Sequence, residues 1–355
     1  MFEIKGNPQL NKDSFTFSEN GKYPYFTRTV FINGIAGYVD YLNEENKIAG
    51  NCLAVGMIGM QFFYMENDFY AGQFTKRAIP KSFLLTQRIA HYFITLLNKN
   101  QLVYQNVLVR DFEQVFNNTK IQLPIKHGEI DFTIMEEFIA ELEAQRIAEL
   151  EAYLSAAGLK NFELTLEEEQ VLSNFAMMEF ESFKVVDVFQ VKNSGNILSR
   201  DIVENSGQTP YLCASSENNA VSSYISFNEA LIDKGNCVFI GGKTFVVSYQ
   251  EKDFYSNDSH NLILYLRNEN QRNKLNHLFL ATCVDKGLGH KYSWGNSISN
   301  KKIQTDVFML PTQNHEPNFA FMQTFISAVQ KLVIKDVVHY ADKKIAATNQ
   351  VVQRH

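Results

Sequence analysis

Gly242-Lys243-Thr244 has the composition of a phosphate-binding loop. Such a loop also needs a glycine at position 237, and that residue is Cys237. The eight histidines are scattered through the sequence, without the spacing of a zinc site. Cys52 and Cys237 lie in apolar runs, where a small buried side chain is a better interpretation than a nucleophile. These groups therefore do not predict a catalytic or metal centre.

Positively charged and amide side chains concentrate in or beside segments that read as loops, and these segments differ between the two halves of the chain. The segments are Arg28–Asn33, Gly72–Lys81, Val107–Thr119, Ser216–Val221, Ser256–Leu266 and Lys286–Lys302. Arginine, lysine, asparagine and glutamine are the side chains that read base edges in DNA. The candidate DNA-binding residues are Arg28, Gln61, Gln73, Lys76, Arg77, Arg110, Asn218, Asn219, Lys243, His260, Lys286, His290 and Lys291. For any single residue, an ordinary polar loop is an equally good interpretation.

The elements that would position these residues are duplicated. Residues 50–70 and 235–255 are identical at nine of 21 positions without gaps. Pro24-Tyr25 matches Pro210-Tyr211, and Phe2 matches Phe189. Agreement in this order and at this spacing predicts two similar domains.

Each copy is predicted to begin with short strands and to continue with a helix. The predicted strands are Tyr23–Val30, Gly34–Tyr41, Cys52–Ile58 and Met60–Met65, with counterparts at Cys213–Ser215, Tyr224–Phe227, Cys237–Ile240 and Phe245–Tyr249. The predicted helices are Phe83–Leu97 and Gln271–Thr282, and the extended runs Lys120–Leu123 and Thr305–Leu310 come later. The first copy has no counterpart of Phe180–Phe189, so we expect its domain to be trimmed or completed by the tail Ala341–His355 or a partner.

Two long helices are predicted, each after a Leu-Pro step. They cover Phe132–Leu154 and Asn318–Ile345, and their apolar residues fall three or four apart on one stripe. The first carries six glutamates against one arginine and the second four lysines against two aspartates, so an antiparallel pair would relieve repulsion. The residues expected to contact the other helix or a partner are Met135, Ile139, Leu142, Leu150, Met322, Ile326, Val329 and Val333. Two unrelated amphipathic helices are the alternative.

The predicted fold class is mixed α/β (α+β): two similar domains of twisted mixed sheet plus helices, separated by two long antiparallel helices that form a coiled-coil spacer. The first domain would cover residues 1–127 and the first spacer helix 128–160. The second domain would cover 161–314, with a helix capped by Thr165, and the distal helix and tail 315–355.

Bulk composition is that of an ordinary globular protein, with 45% hydrophobic and 20% charged residues. The net charge of −6 argues against non-specific nucleic-acid binding over a basic surface. No apolar run reaches membrane-spanning length, and the four cysteines lack metal spacing. We therefore expect a cytoplasmic protein with reduced thiols.

The sequence resembles the specificity subunits of type I restriction–modification systems and of the related type IIB enzymes. The resemblance rests on the two Leu-Pro-then-helix passages, on the duplicated Gly-Asn-Cys block, on the segments that begin at Pro24 and Pro210, and on Lys291–Gly295. It covers nearly the whole chain and does not separate the two classes.

The resemblance implies two target-recognition domains that each read half of a bipartite, asymmetric site in double-stranded DNA. It also implies that the long helices dock methyltransferase subunits, and that the complex can include a restriction subunit. S-adenosylmethionine would be bound by the methyltransferase, which modifies a flipped base, so the chain itself would be non-catalytic and without cofactor. A duplicated protein- or glycan-interaction module with no role in DNA binding is the alternative.

Overall fold

The computed structural model describes residues 1–352, without the side chains of residues 108, 109 and 347–352. It forms two compact units, Met1–Glu151 with Lys344–His355, and Ala152–Lys343. The last three residues of the predicted tail Ala341–His355 lie outside the described residues. Within the described residues, no helix is long and apolar enough to cross a membrane.

The first unit is built on two small sheets. Its first seven strands are β1 (Phe2–Gly6), β2 (Tyr23–Phe26), β3 (Ile35–Val39), β4 (Cys52–Gly56), β5 (Phe62–Met65), β6 (Tyr70–Ala71) and β7 (Thr75–Pro80). An antiparallel sheet has the order β1-β7-β4-β5, and a mixed sheet has the order β3-β2-β6. Strand β4 is buried on both faces: Leu53 and Val55 belong to one apolar cluster, and Cys52 and Ala54 to another. This double burial explains why β4 is a continuous apolar run.

Helices cover the apolar cluster that contains Leu53 and Val55. They are α1 (Gln87–Asn98), α2 (Gln101–Gln105) and α3 (Leu108–Asn118), followed by the hairpin β8 (Ile125–Lys126) and β9 (Glu129–Ile130) and by α4 (Phe132–Ala156). The hydroxyl of Thr86 caps α1 by accepting a hydrogen bond from the backbone N–H of Ile89. Helix α4 is followed by Gly158, whose φ of 67° is a left-handed conformation that glycine adopts without strain.

The second unit repeats this plan and adds elements. After α5 (Leu166–Asn174) come β10 (Phe180–Lys184), α6 (Val185–Val188), β11 (Phe189–Asn193), β12 (Thr209–Leu212), β13 (Val221–Ile225), β14 (Cys237–Gly241), β15 (Val246–Gln250), β16 (Tyr255–Ser256), β17 (Leu262–Leu266), α7 (Lys274–Leu288), α8 (Asn300–Ile303), β18 (Val307–Gln313), β19 (Glu316–Pro317) and α9 (Phe319–Val352). Thr165 and Glu168 form a reciprocal capping box at the start of α5, as the sequence predicts for Thr165.

The predicted duplication is confirmed at the level of strand register. The sheets of the second unit have the orders β11-β17-β14-β15 and β13-β12-β16, which repeat those of the first. Cys52 pairs with Met65, and Cys237 pairs with Gln250, at the same offset in sequence. The hairpin before each long helix is also repeated, with left-handed residues His127-Gly128 in one turn and Asn314-His315 in the other.

The units differ at Phe180–Phe189, the segment that has no counterpart in the first copy. Strand β10 pairs with β18 over five residues, Phe180–Lys184 against Val307–Pro311. The equivalent run in the first unit, residues 120–124, is not part of a sheet, so the extended run predicted at Lys120–Leu123 does not become a strand. A strand needs a partner for its backbone groups, and no other strand pairs with this run in the described part of the chain.

Several segments predicted to be loops are regular elements. Gly72–Lys81 contains β7, Ser256–Leu266 contains β17, and Val107–Thr119 is mostly α3. Strands β7 and β17 pair with strands distant in sequence, which local periodicity does not reveal. The predicted strand at Cys213–Ser215 is also wrong, because β12 ends at Leu212.

Both long helices exist, and their pairing as a spacer stays a prediction. In α4, Met135 and Ile139 are buried, Leu150 is half-buried and Leu142 is 40% exposed. In α9, Met322 is buried, and Ile326 and Val329 are half-buried.

The predicted stripe of α9 does not continue through Val333, which is 73% exposed. The buried side of the helix passes instead through Val338 and Ala341. A straight helix turns about 100° per residue, so these residues lie on a different face from Met322. The helix therefore buries different faces along its length.

Candidate nucleic-acid interface

In the first unit, the loop after β2 borders a cleft of about 750 Å³. Residues 10–12 and the Gly72-Gln73 turn also line it. Two cations, Lys12 and Arg28, face the cleft, and none of the described residues that line it is acidic. In a chain with a net charge of −6, this is a local concentration of positive charge that suits an anionic ligand.

A glycine repeated in both units sets how closely the loop approaches the central strand. A Cβ atom at Gly56 would lie 2.7 Å from the Cα of Arg28, and one at Gly241 would lie 2.8 Å from the Cα of Ala214. Any side chain at these positions would displace the loop. The loop after β2 and its counterpart after β12 therefore rest directly on the backbone of β4 and β14.

Two of the predicted residues, Arg28 and Gln73, meet at this cleft. The guanidinium of Arg28 lies 5.7 Å from the centre of the Phe74 ring, a cation–π contact that orients an otherwise exposed side chain. Gln73 donates a hydrogen bond to Asn11 Oδ1 at 2.8 Å. The cleft thus offers a guanidinium and two amides, which are groups that bind base edges and phosphates.

Sequence reasoning missed several residues of this cleft. Asn11, Lys12 and Thr29 add polar groups to it. Phe31 and Ile32 form the apolar tip of the loop after β2, with 75% and 79% of their surfaces exposed. The duplication contains a signal that could have identified these two residues, because the apolar pair Phe31-Ile32 aligns with the polar pair Glu217-Asn218.

The other predicted residues of the first unit lie outside this cleft. Lys76 and Arg77 belong to β7 rather than to a loop. Lys76 is 3.8 Å from Glu113 in an ion pair, and Arg77 donates to the carbonyl of Gly6 and to Asn7 Oδ1. Gln61 precedes β5. Arg110 is exposed on α3 instead of a loop.

In the second unit, Lys243 and His260 meet at one carboxylate. Lys243 Nζ lies 2.9 Å from Asp258 Oδ2, and His260 Nδ1 lies 2.7 Å from Asp258 Oδ1. Burial raises the pKa of Asp258, but hydrogen bonds from the His260 backbone and from Lys243 outweigh it and lower the pKa to about 2. The aspartate is therefore ionised at neutral pH, and it holds the two side chains together.

Asn218 and Asn219 shape their own turn. Their φ angles of 47° and 53° are left-handed, which asparagine tolerates better than most residues. The Nδ2 of Asn218 donates to the carbonyl of Val221, and the Nδ2 of Asn219 donates to the carbonyl of Tyr249. Both amides are exposed, so their oxygens remain accessible to solvent.

Lys291 is fixed beside the turn that carries Lys243. Its ammonium lies 3.1 Å from Asp306, which also accepts a hydrogen bond from Tyr292. The Tyr292 ring stacks on Phe245 at 5.3 Å, and Phe245 closes the β14–β15 turn. The residue that follows Lys291 therefore packs against the turn that carries Lys243.

His290 and Lys286 are placed differently. His290 is exposed just beyond the end of α7. Lys286 is in the last turn of α7, where it borders an apolar hollow of about 500 Å³ with Phe279 and Phe325. The structure does not bring Lys286 to the Lys243 loops.

The loops after β2 and β12 have the same backbone conformation. Residues 32–34 have φ values of 49°, 54° and 78°, and residues 218–220 have 47°, 53° and 67°. Before each turn, a hydroxyl accepts a backbone N–H two residues later, Thr29 from Phe31 and Ser215 from Glu217. The two loops thus share a scaffold and differ at the tip.

The protein-family model for the type I restriction–modification DNA specificity domain matches residues 1–152 and 177–340 of this sequence. The chain belongs to this family. The two matched segments follow the duplication, so each copy is one specificity domain.

Two relatives show how far the family likeness extends. The type II restriction enzyme specificity subunit S.BcgI of Heyndrickxia coagulans is 22% identical over 155 residues, which is 43% of this chain and 44% of the relative. The chain thus matches less than half the length of this curated relative. The crystal structure of the S subunit of a type I restriction–modification system from M. genitalium aligns with 99% of this chain and 91% of its own, with a TM-score of 0.53 and 13% identity. That structure supports the fold of this specificity-domain protein.

Three thiols of this specificity-domain protein, those of Cys52, Cys237 and Cys283, are not activated. Burial raises the pKa of Cys52 and of Cys283 to about 12 and that of Cys237 further, so these side chains are protonated at neutral pH. Cys52 and Cys237 are buried in β4 and β14, as predicted. Among the described residues, no cluster of three or more histidine, cysteine or acidic side chains could hold a metal ion.

Proposed function

We propose that the chain is the DNA-specificity subunit of a restriction–modification enzyme, and that each unit reads one half of a bipartite, asymmetric DNA target. The observation that carries the proposal is the pair of loops with one backbone conformation and different tips. A shared scaffold presents each loop at the same place in its unit, and different side chains give different base preferences.

Charge and chemistry support DNA as the ligand. The cleft of the first unit holds Lys12 and Arg28 without an acidic neighbour among the described residues that line it. In the second unit, Lys243 lies in the turn of Phe245, Lys291 precedes Tyr292, and the rings of Phe245 and Tyr292 stack. Cations bind phosphates, and the neighbouring amides supply hydrogen bonds to bases.

The long helices would dock methyltransferase subunits. Ile134, Phe138 and Leu142 are each at least 40% exposed and follow one another at intervals of four residues on α4. On α9, Leu332 and Val333 are also exposed, at 50% and 73%. Apolar helical stripes of this kind are a usual surface for a partner protein.

In this proposal the chemistry belongs to the partner. The methyltransferase subunit binds S-adenosylmethionine and methylates a base that is flipped from the duplex. This chain positions the complex on its target without a catalytic residue or cofactor of its own, and a restriction subunit can join the assembly. The assembly is of type I or of type IIB. Because its substrate is DNA, we place it in the cytoplasm.

The test is co-purification with a modification subunit, followed by footprinting on the DNA that the complex methylates. We expect two protected half-sites with an unprotected interval. Methylome sequencing of cells with and without the gene identifies the target sequence. A single continuous footprint would contradict the proposal that each unit reads a separate half-site.

Salt dependence separates this function from a protein- or glycan-interaction module. Phosphate contacts release counterions, so affinity for DNA should fall steeply between low and physiological salt. Affinity that is independent of salt, or retained on a glycan or peptide array and absent on DNA, would favour the interaction module.

A further inference from the structure

The tip of the first-unit loop exposes two large apolar residues where the second unit has polar ones. Phe31 and Ile32 are 75% and 79% exposed, and the equivalent positions are Glu217 and Asn218. Because the two loops have the same φ angles and the same hydroxyl–amide bond, folding of the loop does not require apolar side chains at the tip.

The conformation of Ile32 is unfavourable for its residue type. Its φ of 49° is left-handed, where the branched Cβ of isoleucine clashes with the backbone. Asparagine, found at the matching position 218, tolerates this region. A residue that is both strained and exposed costs stability in the free protein, and such strain is found mainly at functional sites, so its place at the tip points to a role in binding.

The surroundings of the tip identify the ligand. Phe31 and Ile32 line the same cleft as Lys12 and Arg28, and the described lining contains no carboxylate. A surface with cations beside an apolar tip is chemically complementary to a DNA duplex, which has phosphates on the outside and stacked bases on the inside. Apolar side chains that enter a base step partly unstack it and kink the duplex, at a cost repaid by the contacts of the bent DNA.

We propose that Phe31 and Ile32 form an apolar wedge that enters a base step of the first half-site, while Lys12 and Arg28 hold the adjacent phosphates. The proposal rests on the proposed DNA-reading function. The second unit has Glu217 and Asn218 at these positions, so its half-site is bound without a wedge from this loop. The wedge makes deformability of one base step part of the specificity of the first unit.

The experiment compares the full chain with three variants, each in complex with its modification subunit. The variants are Ile32→Asn, which introduces the residue found in the second unit, Phe31→Ala, and Leu84→Asn as a control. Leu84 is 73% exposed in the same unit and is not among the residues that line the cleft. The probe is the duplex recovered from a randomised library, with 2-aminopurine placed at each step of the first half-site in turn.

We expect 2-aminopurine fluorescence to rise at one step of the first half-site when the unaltered complex binds. Ile32→Asn and Phe31→Ala should abolish this rise and weaken binding about tenfold, within the range for loss of one stacking contact. Ile32→Asn should leave the melting temperature of the free protein unchanged or higher, because it relieves backbone strain. Leu84→Asn should change neither fluorescence nor affinity.

Two results would overturn the wedge. If the unaltered complex protects both half-sites but no step shows increased fluorescence, the wedge is refuted and the DNA-reading function stands. If Ile32→Asn binds like the unaltered chain with the same fluorescence, the tip has no role in binding. Failure of the unaltered complex to bind any duplex would refute the proposed function, and the wedge with it.

Discussion

Replacement of Glu168 by glutamine tests whether one ion pair fixes α5 to α9 in the second unit. Glu168 is almost fully buried and lies 2.8 Å from Lys331 Nζ. It also accepts hydrogen bonds from Ser327 and from the backbone N–H of Thr165. Burial raises the pKa of Glu168, but these partners, led by Lys331, more than reverse that effect and lower the pKa to about 2.

The magnitude follows from this shift. The ordinary pKa is 4.5, and each unit of difference between folded and unfolded states corresponds to about 1.4 kcal/mol. The ionised Glu168 and its partners therefore contribute at most about 3 kcal/mol to the free energy of unfolding. Glutamine keeps part of the hydrogen bonding, so we expect Glu168→Gln to reduce the free energy of unfolding by about 2 kcal/mol at pH 7.

The dependence on pH has a defined sign. Because the pKa is lower in the folded state, the stabilisation is complete above the unfolded pKa of about 4.5 and is lost as pH falls towards about 2. Denaturant titrations of the chain and the variant should thus differ most at pH 7 and clearly less at pH 3, and converge only near pH 2. Glu167→Gln, an exposed carboxyl on the same turn, is the control and should change stability little. A difference for Glu168→Gln that is equal at pH 7 and pH 3 would refute this reasoning.

Three further predictions concern the proposed DNA contacts. Arg28→Ala should weaken binding by about 1–3 kcal/mol through the first half-site, and footprinting should show that the second half-site stays protected. Lys291→Ala should weaken protection of the second half-site only, with a small loss of stability because it breaks the ion pair with Asp306; equal loss at both half-sites would contradict independent readers. Trp294, the sole tryptophan, is 77% exposed beside Lys291, so target DNA should quench its fluorescence, and an unchanged spectrum at saturating DNA would place that turn outside the interface.

Local patterns in the sequence predict much of the scaffold. The apolar runs that became β4 and β14 are buried on both faces, so their composition alone marks them as central strands. The N-cap predicted at Thr165 forms, and Glu168 three residues later completes a capping box. The duplication predicted that the two units share one plan, because two copies of one pattern reinforce each other.

Long-range pairing is what the sequence did not reveal. Strand β7 contains Lys76 and Arg77, whose charges suggest a loop, yet Thr75 and Ala78 are buried between β1 and β4. The cleft likewise depends on residues 10–12 meeting the loop after β2. Of the predicted DNA-binding residues, Arg28 and Gln73 meet there, and Lys243 and His260 meet at Asp258 in the second unit. Their contacts with DNA stay predictions.

The matched registers have a consequence for protein engineering. Phe2 and Phe189 begin equivalent edge strands, and the hairpins at Ile125–Ile130 and Thr312–Pro317 end equivalent segments. The sequence between these points can be regarded as a cassette with equivalent ends, except that β18 of the second unit pairs with β10, which lies outside the cassette. A chimera in which residues 189–311 replace residues 2–124 would carry two copies of the second recognition domain, and the two half-sites of its target should have the same sequence.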